Sequence, residues 1–367
     1  MQKAVQYTPP SSSEPNEAGT VSLCELPVPT KPRRGHALVS ISHAGVCGTD
    51  LHVLSGRGTG SLITGQEPRV LGHEASGHVI QLADDEDESA KQSIKIGELM
   101  VLQPVGQCGS CRQCRDGRYN QCDEYFSSFI GLNVNGTWQS VLEVPLDRIH
   151  PVDRYSGGQS PPADWAALAE PLSCVLNGLN RLGHLPGTSR ALVAGAGIIG
   201  LLACIALRRR GVARVTVSEP NAQRRRLVEG LGRAISGLTA CSPEEVAKLK
   251  PFDVVVECSG SPAAGSLACE VAGNSGRILL LGIGNVDSQL TLEPLAAFFK
   301  ELTVLSACAS RYTLPEAIGL LGELSCIDGL SLELLGIKKL PIEEFSKGLQ
   351  LMRDGQASKV LLQPQRA

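Results

Sequence analysis

The stretch CGSCRQCRDGRYNQC brings Cys108, Cys111, Cys114 and Cys122 within fifteen residues. Thiolates spaced C-x2-C-x2-C-x7-C can close a tetrahedral zinc shell from a single loop, with no position left for substrate. This cluster is therefore expected to be structural and to hold its loop. An iron–sulfur cluster would use the same ligands. A catalytic metal asks for something different: mixed ligands and a vacancy. AGVCGTDLH and LGHEASGH offer a thiolate at Cys47 and an imidazole at His73. A carboxylate would complete the set, either Glu74 or Glu170 of ALAEPLSC. Lone cysteines such as Cys24 and Cys204 read as small buried hydrophobes. Cys47 and His73 stand apart only through their company.

A second chemistry lies further along. ALVAGAGIIG sets Gly195, Gly197 and Gly200 as G-x-G-x-x-G around Ile198 and Ile199, after a strand-like run and at the start of a helical one. In that context Gly195 permits the tight turn, and Gly197 lets backbone approach a pyrophosphate. Gly200 lets the helix pack close to the sheet, and the helix N-terminus offers its N–H groups. The next strand, RVTVSEP, ends in Glu219, 19 residues beyond Gly200. An acid there hydrogen-bonds the adenosine ribose and repels a 2′-phosphate, which favours NAD over NADP. Arg224 follows within reach of the same ribose edge. Hydride chemistry with NAD needs no iron–sulfur cluster, so zinc is the expected metal of the four-cysteine loop.

These groups need elements to hold them. The first 155 or so residues carry short β-like runs among Gly and Pro: HALVSISHAG, ASGHVIQL, IGELMVLQPV and WQSVLEVP. They predict an irregular, mostly antiparallel unit. The acidic run 83–93 is expected to be an exposed loop. After SGGQSPP the texture changes. ADWAALAEPLSCVLNGLNRL reads as helix. RALVAGAG, ARVTVSEP, FDVVVECSG and GRILLLGIG then alternate with helical segments, predicting a doubly wound parallel sheet covered on both faces. The tail from about 306 is mixed, with amphipathic helices in LPEAIGLLGEL and PIEEFSKGLQLMRDG and a closing strand in SKVLLQP.

Composition narrows the function classes. The chain has 367 residues, long enough for two domains, and a net charge of −3. That balance suggests neither nucleic acid nor an anionic membrane as partner. The triplets Arg208–Arg210 and Arg224–Arg226 are expected on solvated helix faces. No secretory h-region opens the sequence, and no run reaches the ~18 apolar residues of a membrane span. A cytoplasmic, reducing setting is expected, where the 13 cysteines point to metal or catalysis rather than disulfides.

Taken together, the residues resemble the zinc-dependent medium-chain dehydrogenases, closest to the sorbitol and threonine dehydrogenase branch. The likeness covers almost the whole chain. GVCGTDLH, GHE, the four-cysteine loop, NGTWQSVLEVP, EPLSCVLNG, GAGIIG and VVVECSG occur in the family's order. The resemblance implies a GroES-like catalytic domain from 1–157 with 306–367, and a Rossmann domain over 158–305. It implies two zinc ions, one catalytic and one structural, with NAD. By position, Cys47 and His73 are zinc ligands, and Glu74 is a direct ligand in polyol-type members but only tunes the site from outside the ligand shell in others. Glu170 takes the remaining ligand position or holds the metal-bound water. Asp50 would orient His73, Thr49 and His52 would relay the alcohol proton, and Arg311 and Tyr312 would face substrate. The implied reaction oxidises a secondary alcohol to a ketone: a polyol, aminocyclitol, sugar phosphate or hydroxy amino acid. A homodimer or homotetramer is implied, paired through GRILLLGIG and SQLTLEPLAAFFK. Two departures stand out. GELM (Gly97–Met100) replaces the usual GDRV, and Val53 stands where polyol members often carry an aromatic. A zinc-free NADPH-dependent quinone or enone reductase of the same fold would lack Cys47 and His73. A non-catalytic zinc- or dinucleotide-binding redox sensor would not need Thr49, Asp50 and His52.

Overall fold

The computed structural model describes residues 1–10, 19–56, 67–84, 93–285 and 288–365. Most of the acidic run 83–93 lies outside these. The strands are β1 (Gln2–Thr8), β2 (Thr20–Leu26), β3 (His36–Val46), β4 (Arg69–Val70), β5 (Glu74–Leu82), β6 (Leu99–Leu102), β7 (Val141–Pro145) and β8 (Ile149–Pro151). They continue with β9 (Arg190–Ala194), β10 (Arg214–Ser218), β11 (Leu238–Cys241), β12 (Phe252–Glu257), β13 (Ala272–Leu280) and β14 (Thr303–Ser306). The last two are β15 (Ile337–Pro341) and β16 (Lys359–Gln363).

The second half of the chain forms the parallel sheet that its alternating pattern predicts. Its order is β11-β10-β9-β12-β13-β14, and every neighbouring pair is parallel. Continuous apolar runs are needed because helices cover both faces. Leu192 and Val193, which point to opposite faces of β9, are both buried. The helix Ile198–Arg209 is buried along nearly its whole length. The expected long helix after SGGQSPP is two, Ala163–Ala166 and Ala169–Leu182. Pro171 is the reason. It lacks the N–H an interior helical position must donate, so it sits in the first turn of a new helix, where none is required.

The other large sheet is mostly antiparallel and mixes both ends of the chain. Its order is β15-β16-β3-β5-β6-β8, with β7 also paired to β3. β15 and β16 come from the tail, and β16 lies antiparallel to β3. A small sheet, β2-β1-β4, packs with it. The apolar core of this part includes Val39, Ile41, Met100, Trp138 and Val360, all fully buried.

One surface expectation changes. Arg208 donates to the Ser236 carbonyl at 2.6 Å and Arg210 to the Asn180 side chain at 2.6 Å. The first arginine triplet therefore ties its helix to neighbouring segments rather than merely facing water.

Candidate metal and dinucleotide centres

Pairing of β3 with β5 builds the first cluster. β3 ends one residue before Cys47, and β5 starts one residue after His73. Their antiparallel register sets Gly45 opposite Glu74. The two strand ends thus deliver Cys47, His73 and Glu74 to one place, with all three ligand atoms within 4.8 Å of one another. Gly45 is required at its position. A Cβ there would stand 2.0 Å from the Glu74 carboxylate.

The surroundings of the cluster hold it in shape. Asp50, fully buried, accepts the Cys47 backbone N–H at 2.8 Å and places its other oxygen 3.6 Å from His73 Nδ1. The His73 ring is packed edge-on by Phe129 at 5.6 Å, and Phe129 by Tyr125 at 5.5 Å. On the far side, Lys359 is buried beside Glu74. Its ammonium donates to Glu74 Oε2 and to the Val46 carbonyl at 3.1 Å. Glu170 opens the helix Ala169–Leu182 and lies outside the 4.8 Å group. Its Oε1 accepts from the Cys174 thiol at 3.5 Å. Burial pushes the Glu170 carboxyl up to about 7, with Glu74 adding and His73 and Lys359 opposing.

The charge balance fits a cation. Burial works against the charged forms of His73 and Lys359. The acidic groups around them, Asp50 and Cys47 for one and Glu74 and Cys47 for the other, nevertheless raise both. A pocket that lifts its basic groups despite desolvation carries surplus negative potential. Thiolate, imidazole and carboxylate at this spacing form a zinc donor set.

The second cluster needs little from the rest of the fold. Cys111 opens a one-turn helix, Arg112–Arg115, and accepts the Cys114 N–H. The Cys108 and Cys114 sulfurs are 4.0 Å apart, and those of Cys111 and Cys122 are 3.9 Å apart. Zinc–thiolate bonds of about 2.3 Å put tetrahedral sulfurs about 3.8 Å apart. Backbone N–H groups of Cys111 and Cys114 point at thiolates at 3.3 and 3.4 Å. The loop is thus shaped for an anionic four-sulfur shell, and its cysteines are free of disulfides.

The dinucleotide turn has the shape its glycines predict. Gly195 has φ +105°. A Cβ on Gly200 would stand 1.9 Å from the Gly195 carbonyl, whereas one on Gly197 would meet nothing within 4 Å. The gap before Gly197 is where a pyrophosphate would approach. The helix that follows has no side-chain cap, so its first N–H groups are free for phosphate. Ile198 is buried beneath the turn and Ile199 is half-buried. Glu219, at the tip of β10, accepts from Ala196 N at 2.8 Å and from Asn221 N at 2.9 Å.

Other candidates land less centrally. Thr49 and His52 share the helix Gly48–Leu54, three residues apart. His52 Nδ1 is buried without a hydrogen-bond partner among the described residues. Arg224 lies against Gly355, and Arg225 instead donates to the carbonyls of Glu219 and Pro220 at 2.7 and 2.8 Å. Arg311 donates to the Gly117 carbonyl at 2.8 Å, and Tyr312 is 61% exposed with its ring on Tyr119. Residue patterns alone missed Lys359, Tyr125, Phe129 and Cys174. Only Lys359 carried a signal, as a lone charge at the head of the apolar run KVLL.

Comparison with known proteins agrees with this arrangement. The alcohol dehydrogenase GroES-like domain matches residues 33–154, and the zinc-binding dehydrogenase domain matches residues 199–323. D-altritol 5-dehydrogenase of Agrobacterium fabrum is 33% identical over 89% of this chain and 91% of its own length. An L-threonine 3-dehydrogenase of Stenotrophomonas maltophilia is 29% identical over 93% of this chain and 95% of its own. Galactitol-1-phosphate dehydrogenase from Escherichia coli shares the fold with a TM-score of 0.79, at 23% identity over 99% of this chain and 100% of its own. With two domains matched in chain order and a relative aligned almost end to end, the conclusion is direct: the chain belongs to the zinc-dependent medium-chain dehydrogenase family.

Proposed function

We propose that this zinc-dependent alcohol dehydrogenase oxidises a secondary alcohol of a polyol or sugar-acid type, with NAD as the cofactor. The observation that carries the reading is the convergence of Cys47, His73 and Glu74 from two paired strand ends. Cys47, His73 and Glu74 would hold one zinc and the four-cysteine loop another. The first zinc would supply Lewis acidity toward the substrate hydroxyl, and NAD would accept the hydride.

The chain's own residues do the rest. Asp50 fixes the His73 ring from its Nδ1 side. Lys359 engages one Glu74 oxygen and leaves the other for the metal. Thr49 and His52, on the helix that directly follows Cys47, would take the alcohol proton toward solvent. Phe129 and Tyr125 exclude water behind His73. Glu170 sits outside the ligand group, placed to hold a metal-bound water or to replace Glu74. Gly197 leaves space for the pyrophosphate. Glu219 has lone pairs left for the ribose beyond its two backbone bonds. The active unit would comprise 1–157 with 306–367, and the nucleotide unit 158–305. Among the described residues no helix is long and apolar enough to cross a membrane.

Assembly follows from the free edge of the parallel sheet. The strand GRILLLGIG does not supply that edge, because it is β13 and is paired on both sides, with β12 and β14. Among the described residues β14 has an open side, and the preceding helix Pro294–Lys300 buries none of its residues. Phe298 and Phe299 are 76% and 73% exposed and meet edge-on, and Leu295 on the same helix is exposed too, as is Val304 of β14. Contiguous exposed apolar surface of this kind marks an interface. A second copy pairing along β14 would cover it.

Metal analysis of the purified protein should give two zinc equivalents. With NAD, a panel of sorbitol, galactitol, 2,3-butanediol and threonine should yield turnover of at least one alcohol. Cys47→Ser should abolish that turnover with the fold intact, whereas Cys111→Ser should lower thermal stability, because a closed site contributes to folding. One zinc or fewer, or iron in place of zinc, would refute the assignment. For the cofactor, NAD should be preferred over NADP by at least about tenfold, since a charge-assisted hydrogen bond contributes about 1.5–3 kcal/mol. Glu219→Ala should relax that preference, as read in kcat/KM for the two cofactors. Lys359→Met should cost the zinc-free protein about 3–5 kcal/mol in denaturant titration, because Glu74 would remain buried and unpaired. The double variant with Glu74→Gln should regain part of that loss. In sedimentation the protein should run as a dimer or tetramer, and Phe298→Asp should shift it toward the 38.7 kDa monomer.

A further inference from the structure

Segment Cys308–Thr313 is held in an unusual backbone state. Ala309 and Tyr312 both have positive φ, 52° and 56°, without being glycine. Such a residue is strained and persists only when its surroundings dictate it. The surroundings here come from two opposite sides.

One side is the four-cysteine loop. Asn120 Nδ2 donates to the Cys308 carbonyl at 2.8 Å. The Gly117 carbonyl accepts from Arg311 at 2.8 Å, and the Tyr119 hydroxyl accepts the Tyr312 N–H at 3.0 Å. All three loop residues lie between Cys114 and Cys122. The other side is the helix headed by Glu170. Asn177 Nδ2 reaches the Cys308 and Ala309 carbonyls at 3.3 and 2.7 Å, and the Ser173 carbonyl accepts from Thr313 at 2.7 Å. Asn120 and Asn177 are 7% and 5% exposed. The Cys308 carbonyl is thus gripped by two buried asparagines from different elements. The same residue's thiol borders Tyr125 and the charge of Glu170.

The geometry points to Asn120 and Asn177 as positioning residues: a two-sided clamp through which the four-cysteine loop sets the placement of Cys308–Tyr312 beside Glu170, and so the seat of the substrate. The loop then does more than hold itself together. Its closed shell fixes Tyr119 and Asn120, these fix the segment with its two left-handed residues, and the segment sets the Cys308 thiol beside Tyr125 and Glu170. The link to substrate rests on the dehydrogenase reading above; the link from loop to segment does not.

The test uses the full-length zinc-loaded enzyme. Hydrogen–deuterium exchange of peptides covering 304–314 should be at least fivefold faster in Asn120→Ala than in the wild type, with peptides of the parallel sheet unchanged. KM for the best alcohol of the panel should rise at least fivefold, with kcat and the KM for NAD within twofold. A residue that only stabilises the fold would lower the melting temperature and leave KM alone. Cys114→Ser should reproduce both effects, and its combination with Asn120→Ala should add nothing further, since both act along one path. Tyr119→Phe, which keeps the ring and drops the hydroxyl, should shift exchange and KM in the same direction by less, and serves if Cys114→Ser does not fold. Wild-type exchange across 304–314 in Asn120→Ala, or multiplicative effects in the double variant, would overturn the clamp. Absence of turnover on every alcohol would instead overturn the substrate reading, and the exchange result would still decide the clamp.

Discussion

Two strand ends meet because Gly45 pairs with Glu74, and nearly everything about the candidate metal site follows from that pairing. A strand alternates its side chains between faces, so a slip of one residue would turn Glu74 away from Cys47. Register is protected by the fully buried side chains of Val39, Ile41 and Val79 along the same two strands. Gly45 and Gly77 allow the close approach, because a Cβ at either would strike the partner strand at about 2 Å. The centre is therefore as rigid as the sheet, which suits a site whose ligands must be held before the metal arrives.

Charge balance is the second constraint. Cys47, Asp50, Glu74 and Glu170 gather acidic groups at the end of the sheet, and among the described residues Lys359 sets a buried ammonium beside them. One cation does not offset them. A divalent ion held by Cys47, His73 and Glu74 would add the positive charge that Lys359 alone does not supply. Lys359 also breaks the symmetry between the two glutamates: it grips Glu74 beside the metal position and leaves Glu170 to the Cys174 thiol. The two carboxylates thereby acquire different surroundings, the usual way a fold gives two like groups different tasks.

What could be read from the sequence, and what could not, divides by distance along the chain. The four cysteines span fifteen residues, and the glycine turn lies within a single strand–helix unit, so their spacing alone specifies their shape. Parallel strands announced themselves through unbroken apolar runs. Lys359, by contrast, pairs with Glu74 across 285 residues, and Asn120 meets Cys308 across 188. No local pattern marks such partners; a lysine at the edge of an apolar strand hints only that some counter-charge exists. Arg311 and Tyr312 likewise have partners far along the chain: the Arg311 guanidinium donates to the Gly117 carbonyl and the Tyr312 ring meets Tyr119 edge-on.

The interleaving of the tail with the first sheet has a consequence for how the molecule is made. β3 leaves the ribosome early, yet one of its sheet neighbours, β16, begins only at residue 359. Until then the β3 edge has no partner along Ala44–Val46, and Glu74 has no ammonium beside it. The nucleotide-binding half, built from local strand–helix units, can close while synthesis continues; the catalytic half waits for a contact of very high sequence separation. Such late pairing is slow and leaves an apolar edge open to strangers. A nascent chain stalled before residue 359 would carry every candidate ligand of the site without the ammonium that engages Glu74.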